Sequence, residues 1–122
     1  MASIMVIDDD PQVLETLLEM LRQMGHQVVG STDADAAMNQ FSQAPVDLVI
    51  TDIVMPNKDG FETIQAFRRN YNDVKILAVS GGGRLGQGSF LKEAKLFGAD
   101  SALMKPFTQR ELLAAVGALI PA

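Results

Sequence analysis

Short runs of consecutive apolar residues alternate five times with longer segments whose apolar residues recur at helical spacing, and this pattern narrows the fold most. Residues 4–7, 28–29, 48–50, 76–79 and 102–104 read as strands. The first, third and fourth runs are apolar at successive positions, the pattern of strands covered on both faces. Residues 11–24 set Val13, Leu14, Leu17, Leu18, Leu21 and Met24 on one helical stripe, and Gly25 ends it. Asp10 stands as N-cap before Pro11 at the first helical position. Further helices are expected over 33–41, halted before Pro45, over 61–70, and over about 89–97, ended by Gly98. Thr108-Gln109-Arg110-Glu111 is a capping box opening a last helix that is expected to bury Leu112, Leu113, Val116 and Leu119. Strand–helix alternation of this strictness gives an α/β fold, a doubly wound five-stranded parallel sheet with right-handed crossovers and five helices on its two faces.

A chain of 122 residues reads as one domain spanning 1–122, with no internal repeat or linker. A formal net charge of −5 argues against nucleic acid as a direct partner, because neutralising phosphates needs a basic face. Cysteine is absent, which removes disulfides, thiolate metal sites and a cysteine nucleophile. The N-terminus has no basic region ahead of its apolar run, and no apolar stretch reaches 18 residues, so a cytoplasmic location away from the membrane is expected.

In a doubly wound sheet the functional crevice lies outside the carboxyl ends of the strands. Asp8, Asp9 and Asp10 follow the first apolar run, Asp52 the third, Ser80 the fourth and Lys105-Pro106-Phe107 the last. Carboxylates brought together there repel. Two unit charges about 4 Å apart cost roughly 4 kcal/mol at an effective dielectric near 20. Such a cluster persists when a bound cation and a lysine compensate it, so the pattern is that of a hard-metal site with a carboxylate left over for chemistry. His26, beside Gly25 at the other end of the sheet, reads as a solvent-facing loop residue, and the methionines read as core filler. Arg84 reads as a solvated loop tip.

At these residues the chain resembles the receiver domain of two-component response regulators over nearly its whole length. The motifs are Asp8-Asp9, Asp52, Met55-Pro56, Asp59-Gly60, Ser80 and Lys105-Pro106-Phe107, in order and at matching intervals. The resemblance implies a flavodoxin-like strand order of 2-1-3-4-5. It implies that Asp52 accepts a phosphoryl group from a histidine kinase or histidine phosphotransfer protein, in a Mg2+-dependent reaction. Asp9 and Asp52 would supply direct metal oxygens, with the Val54 backbone carbonyl as a third and Asp8 acting mainly through water. Lys105 and the Ser80 hydroxyl would meet the phosphoryl oxygens, and a cis bond before Pro106 would aim the lysine inward. An output protein would bind the face made by residues 89–97, 102–104 and the last helix.

Two departures from the family stand out. The position three before Lys105, an aromatic in most receivers, is Ala102, which has no ring to rotate in the usual switch. Residues 80–88 contain five glycines, so the connection after the fourth strand is expected to be a switch loop with wide conformational freedom. A phosphatase with an aspartate nucleophile is a competing function, but such enzymes place a proton-donating aspartate two residues on, where this chain has Val54. A receiver taken from a longer DNA-binding regulator is another. The ending Leu119-Ile120-Pro121-Ala122 carries no linker, so a stand-alone protein is expected.

Overall fold

Each apolar run becomes a strand, and the strands extend a residue or two beyond the runs. The structure, a computed structural model, describes residues 2–55, 58–81 and 87–120. In chain order the elements are β1 (Ser3–Ile7), α1 (Pro11–Gln23), β2 (Gln27–Ser31), α2 (Ala34–Gln43), β3 (Leu48–Asp52), β4 (Val54–Met55), β5 (Lys58–Asp59), α3 (Gly60–Asn70), β6 (Lys75–Gly81), α4 (Gln87–Leu96), β7 (Ser101–Lys105) and α5 (Gln109–Leu119). Five strands form one parallel sheet in the order β2-β1-β3-β6-β7, which is 2-1-3-4-5 when sheet strands alone are counted. The expected order, parallel direction and five helices are all present. The sequence pattern missed β4 and β5, a two-stranded antiparallel hairpin pairing Val54 with Asp59 and Met55 with Lys58. Strands of two residues are too short to show alternation.

The sheet splits the core in two. On one face Met5, Ile7, Val49, Ile76, Ala78 and Ala102 pack with Phe41 of α2, Ile64 and Phe67 of α3, and Phe90 and Ala94 of α4. On the other, Ile4, Val6, Leu48, Ile50, Leu77 and Val79 pack with the leucines of α1 and with Leu112 and Val116 of α5. Successive strand residues thus serve opposite layers, which is why the central runs are apolar throughout.

Local signals set the ends of the helices. Asp10 Oδ1 accepts the backbone N–H of Gln12 at 2.9 Å and of Val13 at 3.4 Å, capping α1. Gly25, at φ +92°, and Gly98, at φ +113°, turn the chain after α1 and α4 in a region that side-chain-bearing residues avoid. The Thr108–Glu111 capping box is complete, with reciprocal bonds of 2.9 and 3.0 Å. In the last helix Leu112 and Val116 are buried as expected, Leu119 is only partly buried, and Leu113 departs outright. Leu113 is 50% exposed, because a residue next to Leu112 is turned about 100° off the buried stripe.

Candidate functional site

Parallel strands that end level bring their last residues to one edge. In the ladder Ile7 lies beside Thr51, and Asp52 beside Val79, so Asp8 and Asp52 end neighbouring strands at the same height. Asp8 continues the Val6 side of its strand and Asp52 the Ile50 side, both toward α1 and α5. An oxygen from each of Asp8, Asp9 and Asp52 lies within 4.8 Å of the others. Asp8 and Asp52 are buried at 1% and 6% exposure, whereas Asp9 is half-buried. Asp8 Oδ1 also accepts the Asp10 backbone N–H at 3.0 Å, which fixes that carboxylate against the turn into α1.

Lys105, the last residue of β7, closes the cluster. Its Nζ donates to Asp8 Oδ2 at 2.8 Å and to Asp52 Oδ2 at 3.4 Å. Burial alone would push its pKa down, but the hydrogen bond to Asp8 and the charges of Asp52 and Asp8 outweigh it and hold the ammonium above the usual lysine range. The Lys105–Pro106 peptide bond is cis, in line with the family resemblance.

Ser80 is buried and sits one ladder row beyond Asp52, next to Met104 of β7. It follows Ala78 on the side of the sheet that packs against α3 and α4, so it approaches the edge from the face opposite Lys105. Val54 is placed in β4, two residues past Asp52. The motif residue Pro56 and the loop residues 82–86, with Arg84 among them, lie outside the described residues.

Three carboxylates and one lysine suit a hard divalent cation: the donors are all oxygen, and with one ammonium against three acidic groups the cluster keeps negative charge for a metal. The acidic group is compatible with Mg2+ binding and with phosphorylation.

At the opposite edge two features differ from the sequence reading or were absent from it. His26 is half-buried, and its Nδ1 accepts the Ala2 backbone N–H at 3.2 Å, so it serves the sheet and is not simply solvated. Arg68 at the end of α3 donates to the carbonyls of Gly98 at 3.0 Å and of Asn72 and Val74 at 2.8 Å, and pairs with Asp100 Oδ2 at 2.7 Å. The same Asp100 oxygen accepts the Ile76 N–H at 2.8 Å. No helix among the described residues is long and apolar enough to cross a membrane.

Residues 4–117 match the family described as the response regulator receiver domain. The transcriptional regulatory protein CpxR of Escherichia coli K12 is 32% identical over 120 residues, covering 98% of this chain and 50% of that protein. The transcriptional regulatory protein PrrA of Mycobacterium tuberculosis is 35% identical over 117 residues, covering 96% of this chain and 49% of that protein. This chain therefore spans about half the length of the curated relatives it matches. Among solved structures, the chemotaxis protein CheY4 of Vibrio cholerae has a TM-score of 0.87 at 27% identity, covering 98% of this chain and 99% of that one. A response regulator receiver domain protein from Clostridium thermocellum has a TM-score of 0.87 at 25% identity, covering 98% and 94%.

Proposed function

Because the chain belongs to the response regulator receiver family, and is thus a signalling module of two-component systems, we propose that Asp52 is its phosphoryl acceptor. One observation carries this reading: Asp52 is a buried strand-end carboxylate with the Lys105 ammonium 3.4 Å away and two further carboxylates beside it. In the proposed step an Asp52 oxygen attacks the phosphorus of a phosphohistidine on a histidine kinase or phosphotransfer protein. The new P–O bond forms as the P–N bond breaks, and the departing imidazole takes up a proton. In the reverse sense of the signal, water attacks the same phosphorus and returns the Asp52 carboxylate and inorganic phosphate.

Asp8, Asp9, Asp52 and the Val54 carbonyl would hold Mg2+, which when bound supplies positive charge against the phosphoryl oxygens. Lys105 has a chemical reason to change partner. In the acceptor state it neutralises Asp8 and Asp52, and a phosphoryl group on Asp52 offers it a more charged acceptor. The Ser80 hydroxyl, in the adjacent ladder row, would donate from the other face. An open groove of about 420 Å³ beside Lys105, lined by Val13, Thr16, Leu17, Met20, Pro106 and Phe107, offers the donor protein an apolar surface next to the acceptor.

The output side of the proposal is the segment over 80–90 and the face of α4, β7 and α5. Both of those helices carry an exposed leucine, Leu96 at 84% and Leu113 at 50%. One five-stranded sheet with a continuous core on each side supports treating 1–122 as one receiver domain. The comparisons do not favour a phosphatase, and Val54 has no proton to transfer.

The test is uptake of one phosphoryl group from acetyl phosphate. The wild type should take it up with Mg2+ and fail to do so with a chelator, and Asp52→Asn should not be labelled under either condition. Equal labelling of Asp52→Asn would remove the assignment.

A further inference from the structure

We propose that Met104 is the side chain that carries a change at Ser80 to helix α4. The inference rests on the reading of Asp52 as acceptor and names the next residue in the path. Ser80 and Met104 are partners in the β6–β7 ladder, on strands about 4.8 Å apart, and their side chains share a face. That face belongs to the core layer of α4: Met104 is half-buried and packs against the cluster that contains Phe90 and Ala94. The buried neighbours along the two strands are Ala78 and Ala102, partners in the same ladder. Alanine has no atom beyond Cβ, so neither can relay a displacement from strand to helix.

On its other flank, Ser80 faces the end of β3, where Ile53 donates its backbone N–H to the Val79 carbonyl at 3.0 Å. Ile53 packs against the same core layer as Met104, but it is β-branched and stiff at χ1. Methionine is the contrary case, unbranched, with several rotatable bonds and a polarisable sulfur that repacks at little cost. Its partial exposure leaves room for another rotamer. A serine hydroxyl drawn toward the phosphoryl site vacates space beside Met104, and the Met104 side chain can follow it, withdrawing support from Phe90 and Ala94.

Met104 can be watched directly, because its methyl group gives its own NMR signal among the seven methionines of the chain. We would record methionine methyl spectra of the full chain with and without Mg2+ and beryllofluoride, assigning Met104 from its loss in Met104→Leu. The proposal expects the Met104 methyl to shift more than that of any other core methionine, Met5 included. Hydrogen exchange of 87–96 then separates relay from filler. Leucine conserves the volume and keeps stability close to wild type but has fewer rotamers, so the relay reading expects a weakened exchange response in α4. A response restored in full by leucine, or a Met104 methyl that stays still while the amides of Asp52 and of α4 respond, would overturn the proposal alone. No beryllofluoride response at Asp52 or Lys105 would instead sink the acceptor reading, and this proposal with it.

Discussion

Lys105 has two roles that separate by experiment, one as the resting counter-ion and one as the proposed phosphoryl partner. It donates to two buried carboxylates, so Lys105→Ala leaves them facing each other. Losing one member of a buried pair costs about 3–5 kcal/mol. Lys105 is 22% exposed and therefore partly screened, so we expect a loss of about 2 kcal/mol in urea unfolding without divalent metal. Saturating Mg2+ should narrow that gap, and the variant should bind Mg2+ more tightly because the competing ammonium is gone. The pH dependence follows from the sign of the shift. Desolvation lowers the lysine pKa, but the Asp8 hydrogen bond and the two carboxylate charges raise it further, to a net increase. A raised folded-state pKa means the stabilisation is fully present below the ordinary lysine value of about 10.4 and is lost as pH rises through the folded one. The stability difference between wild type and Lys105→Ala should therefore shrink at alkaline pH, and a difference that grows there would contradict the pairing. The neighbouring aspartates divide differently. Asp10→Ala should cost about 1 kcal/mol of stability through the lost cap and leave Mg2+ affinity alone. Asp9→Ala should do the reverse, as read by calorimetric titration.

The elements were legible where the sequence carries local chemistry. Consecutive apolar residues marked the strands, Gly25 and Gly98 marked helix ends, and Asp10 and the Thr108–Glu111 box marked helix starts. The candidate site residues stand out for a related reason: Asp8, Ser80 and Lys105 directly follow an apolar run, and Asp52 follows one after Thr51. Contacts between distant charges do not. Arg68 and Asp100 are separated by 32 positions, and nothing in either neighbourhood distinguishes them from solvated surface charges. Yet Arg68 ties the end of α3 to the α4–β7 turn and, through Asp100, to the start of β6. The bond from Ala2 to His26 has no local sequence signal either, because it depends on how the β1 end lies against the α1–β2 turn. Arg68→Ala removes four hydrogen bonds at once. At about 1 kcal/mol each for partly exposed groups, with some replaced by water, the expected loss is about 2–3 kcal/mol. Hydrogen exchange should rise most at Gly98 to Asp100 and little at Asp52. Exchange rising uniformly would mean that the clamp has no local role.

For the molecule as a whole, the strand order explains why the acidic groups and the lysine gather at one edge. With β1 and β3 adjacent at the centre and β6 and β7 beyond, two acidic strand ends meet at the switch point of the winding and a lysine reaches them from the edge strand. The helices α1 and α5 cover the lysine side of that edge, and α3 and α4 cover the serine side. In the proposed reaction, a charge added at Asp52 would meet Lys105 from one layer and Ser80 from the other. The central claim is that this charge arrives as an acyl phosphate on Asp52, and its bond type allows direct mapping. Borohydride reduces an aspartyl phosphate to homoserine, so the chain should be treated with acetyl phosphate and Mg2+, reduced, digested and sequenced by mass spectrometry. The account predicts homoserine at position 52 and at no other aspartate, with none in a chelated control. Homoserine at position 8 or 9 with aspartate intact at 52, or phosphate retained on Ser80, would contradict it.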